Sequence, residues 1–170
     1  MILETERLLL RRFTMPDYVA LDNLLGCNVV MASSMSGSLN GDQIKVWLET
    51  QIEVYKSNEG VDVLAVVEKR SAELIGYCGL FHFADIDGVP EIEIGYRLVQ
   101  AVWGNGYATE AACAIRDYAF SQLKLPRLVA LIEPTNTRSI RVAEKIGMNY
   151  EKDVMLEGYD YPDYLYSMGN

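Results

Sequence analysis

The sequence predicts a single α/β domain covering residues 1–170, on three observations. The 170 residues are 50% hydrophobic and 23% charged, a composition typical of a soluble protein with one core. Segments that alternate like β-strands follow segments with helical periodicity along the chain. No internal repeat, low-complexity tract or linker divides the sequence.

The first part of the chain predicts one strand and two helices. The strand covers "RLLLRRF", residues 7–13, and a helix follows "TMPDY", where Thr14 or Asp17 can accept the free N–H groups of the first turn. A second helix follows Asn40, because the apolar residues of segment 44–52 lie close to helical spacing.

The middle of the chain predicts three strands. Residues 61–69 and 73–83 are rich in β-forming residues and are separated by a polar turn, so they form a hairpin. The third strand, "EIEIGYRLV" at 91–99, alternates in a way that directs Glu91 and Glu93 to one face. Two carboxylates therefore share a face of the sheet.

The last part predicts two helices and three strands. One helix follows the glycines near residue 106, a strand covers "RLVALI" at 127–132, and a second helix covers about 136–146 and ends at Gly147. Two tyrosine-rich strands finish the chain. We expect sheet packing for most members of one group of tyrosines, namely Tyr159, Tyr161, Tyr164 and Tyr166.

Charge and composition narrow the function. Fifteen basic and 24 acidic residues give a net charge of -9, which repels nucleic acid and anionic lipid and attracts cations. The longest apolar runs are far shorter than the roughly 20 residues that cross a bilayer, and nothing suggests export, so we expect a cytoplasmic protein. Three separated cysteines and one histidine predict free thiols and no metal site.

The stretch "VWGNGYATEAA", residues 102–112, predicts an anion-binding site. It joins a strand to a helix, where glycines let the backbone approach a ligand and the first N–H groups of the helix point towards it. A plain tight turn is one alternative, since two glycines alone are a weak signal. A nucleotide-dependent oxidoreductase is another, but its fold would have the glycines after the first strand and a third glycine at Thr109.

Several motifs in the same order resemble the GNAT acetyltransferases. Residues 103–108 resemble the acetyl-CoA signature Arg/Gln-x-x-Gly-x-Gly/Ala, with Trp103 departing from its first position. Further matches are "TERLLLRRFTMPDY", "IGYCGL", "EIEIGYRL" and "NTRSIRVAEKIGM". Together they look like the branch typified by the ribosomal-protein-alanine N-acetyltransferases.

This resemblance implies a fold and a cosubstrate. The fold would be a mixed, mostly antiparallel sheet that is splayed between its central strands and flanked by helices, with acetyl-CoA in the opening. The pantetheine arm would pair with the backbone near Leu98 and Val99, and Asn136 would bind the same arm while also capping its helix. The pyrophosphate would lie on a loop formed by Trp103, Gly104, Asn105, Gly106, Tyr107, Ala108 and Thr109.

The resemblance also implies catalytic residues. Many members of the family carry a tyrosine on the last helix that protonates the leaving thiolate, and this chain has Ala143 there. Ser139, one turn earlier, would contact the CoA sulfur instead; an ordinary surface serine is the alternative. Glu93, within the family's Glu-Ile-Gly-Tyr, and Glu91 are the candidate bases, although simple strand alternation explains at least one of them.

The sequence therefore predicts an N-acetyltransferase that moves acetyl from acetyl-CoA to a primary amine by direct attack, without a metal. A peptide or protein N-terminus is favoured, because an α-amine has a pKa of about 7.7–8.0 and a lysine side chain one of about 10.4. An acyl-CoA sensor and an acetyltransferase of small-molecule amines are the alternatives, and the protein is expected to be a monomer or homodimer. Glu93→Gln is expected to slow the reaction most at low pH.

Overall fold

Eight strands and four α-helices form the described part of the chain, which comprises residues 2–34, 36–56, 60–156, 158 and 160–170 of a computed structural model. The strands are β1 (Ile2–Glu4), β2 (Leu8–Arg11), β3 (Val63–Glu68), β4 (Leu74–Ile86), β5 (Val89–Leu98), β6 (Arg127–Ile132), β7 (Asn149–Val154) and β8 (Asp163–Gly169). The helices are α1 (Tyr18–Leu25), α2 (Gly41–Val54), α3 (Tyr107–Ser121) and α4 (Thr137–Lys145).

The strands form one mixed sheet that opens at its centre. Its order is β1-β2-β3-β4-β5-β6-β8-β7, and β5 and β6 are the one parallel pair among these strands. They are paired only where Glu93 lies opposite Val129, whereas β4 with β5 and β6 with β8 are paired over most of their lengths. Beyond Glu93 the two central strands separate, which confirms the splayed sheet.

The predicted elements are present with shifted ends. β2 is shorter than the predicted strand, because the chain turns at Met15–Asp17 in a 3₁₀ turn before α1 begins. The Asp17 carboxylate accepts the Thr14 N–H at 2.8 Å and pairs with the Arg11 guanidinium at 2.7 Å. α2 begins after Asn40, whose side chain accepts the Gln43 N–H at 3.0 Å.

The core lies on both faces of the sheet. α3 and α4 cover one face, where Ile115 packs with Leu128 and Leu80. α1 and α2 cover the other face, where Leu21 and Leu48 pack with the sheet. Fully burying one such side chain stabilises the folded state by roughly 1.5–3 kcal/mol. Packing on both faces therefore holds in place the strands between which the opening forms.

The aromatic end of the sheet agrees in part with the sequence prediction. Tyr164 and Tyr166 of β8 pack edge-on against Tyr150 of β7, with ring centroids 5.4 and 6.0 Å apart. Tyr161 precedes β8, and Tyr159 lies outside the described residues. The three cysteines are free thiols. Among the described helices, none is both long enough and apolar enough to cross a membrane.

Candidate active site

A cavity of about 340 Å³ lies where β5 and β6 separate, and it reaches both faces of the sheet. Strand alternation divides its lining, because neighbouring residues of one strand point to opposite faces. On the α3/α4 face the lining includes Ile94, Tyr96, Ala112, Ala130, Asn136, Ser139 and Ala143. On the α1/α2 face it includes Ser33, Tyr77, Phe81, Phe83, Glu93, Gly95, Arg97 and Leu131.

The loop before α3 has the conformation that an anion site requires. Gly104 and Gly106 have φ angles of +81° and +82°, in the left-handed region that residues with a Cβ rarely adopt. Gly106 is the N-cap of α3, and its carbonyl accepts the first helical bond from the Glu110 N–H. The N–H groups of the first turn have no acceptor within the helix and point out of its N-terminus, where the helix dipole favours negative charge.

Arg7 reinforces this loop, although the sequence analysis did not single it out. Its Nη1 donates to the Asn105 carbonyl at 2.9 Å, and its Nε donates to the Glu110 carboxylate at 2.6 Å. The guanidinium also lies 4.4 Å from the centroid of the Tyr107 ring. The ion pair of Arg7 with Glu110 therefore ties the residues beside β2 to the loop and to the first turn of α3.

Trp103, the residue that departs from the family signature, connects the loop to β5 and α4. Its indole N–H donates to the Leu98 carbonyl at 2.8 Å. The guanidinium of Arg138, on α4, lies 4.8 Å from the ring centroid, in cation–π geometry. Trp103 thus brings a second arginine to the loop.

The backbone of β5 beyond Glu93 points alternately to β4 and to the opening. The Val99 N–H donates to the Ile75 carbonyl at 2.9 Å, and the Val99 carbonyl accepts the Val102 N–H at 3.2 Å. Because the ladder alternates, the N–H groups of Tyr96 and Leu98 face the opening instead. Of the two residues expected to pair with the pantetheine arm, Leu98 directs its N–H to the opening, whereas the Val99 N–H and carbonyl are bonded to Ile75 and Val102.

Asn136 and Ser139 lie together at the start of α4. The Asn136 side chain accepts the Ser139 N–H at 3.1 Å, so the predicted cap is present and the amide NH₂ group is not used by it. Ala143 is buried one turn further along, where many family members have tyrosine.

Tyr96 contacts Ser139, and the sequence analysis missed this pair. The Tyr96 hydroxyl donates to Ser139 Oγ at 3.1 Å across the cavity from β5 to α4. Burial raises the pKa of Tyr96 to about 12, against a smaller lowering by the bond to Ser139, so the phenol is protonated at neutral pH. A Tyr-Ser pair therefore occupies the side of the cavity that lacks the usual helix tyrosine.

Glu93 lies where the central strands part. Its Oε1 accepts the Leu131 N–H at 3.1 Å, so the carboxylate replaces the ladder partner that this N–H would have in a closed sheet. Burial raises the pKa of Glu93 to about 7, and Asp163 adds to the rise, while the Leu131 N–H and the charge of Arg97 oppose it. A carboxyl group that is half ionised near neutral pH can accept a proton from an amine.

Glu91 shares the face of Glu93 but lies outside the cavity lining. Arg127 Nε donates to Glu91 Oε1 at 3.0 Å, and Arg127 Nη2 lies 2.8 Å from Glu151 of β7. The structure therefore holds Glu91 in an ion pair that joins β5, β6 and β7 next to the opening, and it gives Glu93 alone access to the cavity.

These features describe a cavity with an anion-binding loop and a hydroxyl pair on one face and a near-neutral carboxyl group on the other. A profile described as "Acetyltransferase (GNAT) domain" matches residues 7–149. The chain belongs to the GNAT acetyltransferase family. It is an acetyl-CoA-dependent N-acetyltransferase that acts on an amine acceptor. Among the described residues, no group of three His, Cys, Asp or Glu side chains could hold a metal ion.

Relatives of this acetyltransferase cover nearly its whole length. It is 37% identical over 152 residues to the Uncharacterized protein YkkB of Bacillus subtilis (strain 168), covering 89% of this chain and 87% of that protein. It is 28% identical over 169 residues to the Uncharacterized N-acetyltransferase YnaD of the same organism, covering 98% and 95%. The crystal structure of an acetyltransferase (GNAT family) from Bacillus anthracis superposes with a TM-score of 0.85 at 28% identity, covering 99% and 98%.

Proposed function

We propose that this acetyltransferase modifies the α-amine of a peptide or protein N-terminus by direct attack in a ternary complex, with Glu93 as the base. The observation that carries the proposal is the position of Glu93, which lines the cavity where β5 and β6 separate and accepts the Leu131 N–H, in surroundings that raise its pKa to about 7. The pKa of an α-amine, about 7.7–8.0, is roughly one unit above the pKa of Glu93, and the pKa of a lysine side chain, about 10.4, is roughly three units above it. Because each unit corresponds to about 1.4 kcal/mol, proton transfer from the α-amine is much less uphill.

Acetyl-CoA would lie on the α3/α4 face. The loop of Trp103, Gly104, Asn105, Gly106, Tyr107, Ala108 and Thr109 would hold its pyrophosphate, through the N–H groups of the first turn and the charge of Arg138. The pantetheine arm would pair with the backbone of Leu98 and Tyr96 and with the free amide of Asn136. An open helix N-terminus beside the Arg138 guanidinium fits the anionic part of this molecule, and the Arg7–Glu110 ion pair holds the loop in place.

The chain's own residues then perform three tasks. Acetyl-CoA supplies the acetyl group as an activated thioester. Glu93 takes a proton from the amine on the α1/α2 face, a β5 N–H donates to the carbonyl oxygen, and Ser139 donates to the sulfur that leaves. Tyr96 donates to Ser139 Oγ and so leaves the Ser139 hydrogen directed at the sulfur. The acceptor and the cosubstrate approach through opposite faces, so no acetylated enzyme is required.

The choice of acceptor rests on this chemistry, because the fold is shared by enzymes with different acceptors. A ribosomal-protein-S5-alanine acetyltransferase from Vibrio fischeri has the same fold at 22% identity and a TM-score of 0.78. A spermidine N-acetyltransferase chimera has it at 17% and 0.74. Our proposal includes the assignment of the chain to the ribosomal-protein-alanine branch. Two residues that resemble those of that branch and of the family, Ser139 and Glu93, support the assignment.

The test compares one peptide with a free N-terminus and no lysine with its N-blocked, lysine-containing counterpart. Release of CoA thiol is measured as kcat/KM between pH 6 and 9, and mass spectrometry locates the acetyl group. We expect the α-amine to be acetylated at least about tenfold faster at pH 7, because its free-base fraction is larger and Glu93 matches it better. Faster modification of the lysine peptide, or of a small polyamine, would overturn the proposal.

A further inference from the structure

Arg97 has an unusual position on the α1/α2 face of the cavity. It lies on β5 on the same side as Glu93, two alternate positions along the strand. Gly95 lies between them, and a Cβ there would come within 2.9 Å of the Phe81 ring. The Phe81 ring therefore packs over Gly95 and forms an apolar floor between one carboxyl group and one guanidinium.

The guanidinium of Arg97 lacks a carboxylate partner among the described residues. Its Nη1 contacts Met31 Sδ at 2.6 Å, and the guanidinium lies close enough to the Tyr77 hydroxyl to lower the pKa of Tyr77, against the larger rise caused by burial. A thioether and a phenol are weak or neutral acceptors, while a guanidinium has five N–H donors. Five arginines do pair with carboxylates, namely Arg7, Arg11, Arg12, Arg116 and Arg127.

Arg97 also differs from the other arginines that have no carboxylate partner within the described segments. Arg70, Arg138 and Arg141 are exposed, and water solvates their charge. Arg97 is half-buried and lines the cavity. The nearest carboxyl group on this face, Glu93, interacts with Arg97 through space without forming an ion pair, so the N–H donors of the half-buried guanidinium remain available to a carboxylate ligand.

We propose that Arg97 binds an oxyanion of the acceptor, so that the preferred acceptor is an amine that also carries a carboxylate. This proposal rests on the proposed function, since it places the reacting amine at Glu93. Residues four apart on a strand have Cα atoms about 13 Å apart. Glu93 Oε2 lies 3.9 Å from the position that a Cβ on Gly95 would have, so the Glu93 carboxyl group extends from its own Cα towards Gly95. The amine and the carboxylate of one short molecule span the remaining distance.

Two sources could supply this carboxylate, the C-terminus of a small amino compound or an acidic side chain near a protein N-terminus. The chemistry at Arg97 is the same in both cases, namely a bidentate guanidinium–carboxylate pair. A polyamine fits neither, because it would bring a second ammonium group to the guanidinium.

The experiment uses matched acceptors that differ only in the oxyanion. One pair is the dipeptide alanyl-alanine and its C-terminal amide. The other pair is a peptide amide that begins alanyl-aspartyl and its alanyl-asparaginyl counterpart, and spermidine is the acceptor without an oxyanion. Both kcat/KM and calorimetric binding to the CoA-saturated protein are measured for the wild type, Arg97→Met, Arg97→Lys and the control Arg70→Met.

We expect the acid to be preferred by at least about tenfold over the amide in one of the two pairs, and the preferred pair identifies the source. Arg97→Met should reduce that preference to less than about twofold, Arg97→Lys should keep part of it, and Arg70→Met should keep all of it. Equal values for acid and amide in the wild type, or a preference that persists in Arg97→Met, would overturn the proposal.

The binding measurement separates this proposal from the proposed function. Acid-selective binding that depends on Arg97, without acetyl transfer to any amine, would leave the oxyanion site standing and refute the assigned reaction. Acetyl transfer without any preference for acids would leave the reaction standing and refute the oxyanion site.

Discussion

The separation of β5 from β6 determines the hydrogen bond and the pKa of the Glu93 carboxyl group. Its neighbour Leu131 has an N–H group that the Glu93 carboxylate accepts in place of a β5 carbonyl, and the Glu93 side chain is half-buried there. The bond to Leu131 favours the charged form, but burial outweighs it and raises the pKa to about 7. This raised value changes the pH dependence expected from the sequence.

The first prediction concerns Glu93→Gln. For the wild type, kcat/KM should rise with pH through about 7 as the carboxyl group ionises, and the variant should lack that inflection. Its deficit, roughly 10²–10⁴-fold for a lost base, should be largest above pH 7, because the wild-type carboxyl group is already protonated below it. This reverses the expectation of a largest effect at low pH.

Glu91→Gln, outside the cavity, should keep the inflection, and a Glu93→Gln profile parallel to the wild type would exclude Glu93 as the base.

The same substitution gives a second prediction, for stability. The folded pKa of Glu93 is about 7 against an ordinary value of 4.5, so the folded state binds the proton more tightly and loses stability as pH rises between these values. Glutamine keeps the contact with the Leu131 N–H without the charge. Glu93→Gln should therefore be more stable than the wild type at pH 8, on the order of 1–3 kcal/mol, and nearly equal at pH 4. Urea unfolding at both pH values measures this, and a variant less stable at pH 8 would contradict the environment assigned to Glu93.

A third prediction concerns the pair of Ser139 and Tyr96. Ser139→Ala and Tyr96→Phe should each lower kcat with little change in CoA affinity, because the contact forms chiefly in the transition state. The double variant should be no slower than Ser139→Ala, since Tyr96 acts through Ser139. An acetyl thioester of an acidic aryl thiol needs no proton donor, because its thiolate is a good leaving group. With that thioester the two single variants and the double variant should react at nearly the wild-type rate. Equal losses with both thioesters would show that the two hydroxyls only maintain structure.

At the scale of the elements, the loop and α3 are joined to the rest of the protein by two arginines. Arg7 reaches the loop from beside β2, and Arg138 reaches Trp103 from α4. Trp103 stands where the family signature has Arg or Gln. The Arg138 guanidinium on its ring supplies a cation at that position. The ion pairs of Arg127 with Glu91 and Glu151 hold β5, β6 and β7 together at the closed end of the opening.

A fourth prediction concerns the loop. Gly106→Val should weaken CoA binding by at least about 100-fold, because φ is +82° there and a Cβ would lie 3.4 Å from Arg7 Nη2. Gly88→Val is the matched control, since Gly88 has φ +85° in the β4–β5 turn with no atom within 4 Å of its Cβ position. Calorimetric titration with CoA and circular dichroism of both variants measure affinity and folding. A folded Gly106→Val protein with wild-type affinity would remove the loop from the binding site.

Local patterns predicted most elements but only part of the site. Alternation and capping identified β5, α2 and the loop, since these signals lie within a few residues of one another. β1, three residues long, was missed because it is too short to show alternation. The pair of Tyr96 and Ser139 joins residues 43 apart, and Arg7 and Glu110 are 103 apart, so their contacts depend on the folded sheet.

On the scale of the whole molecule, the proposed reaction depends on one opening through the sheet. α3 and α4 present the loop and Ser139 on one face, α1 and α2 cover the other, and the separation of β5 from β6 beyond Glu93 connects the two. The family resemblance predicted this splayed sheet, whereas the acceptor side could not be predicted, because Arg97, Phe81 and Ser33 come from three separate segments. We therefore propose that acetyl passes directly through the opening from one face of the sheet to the other.

Two-substrate initial-rate kinetics test this claim most directly. Rates of CoA release are measured over a grid of acetyl-CoA and α-amine peptide concentrations, and intact-protein mass spectrometry follows enzyme mixed with acetyl-CoA alone. Direct transfer in a ternary complex predicts intersecting double-reciprocal lines and an enzyme mass that does not increase by an acetyl group. Parallel lines together with an acetylated enzyme would contradict it, because they require a covalent intermediate on a residue of the chain.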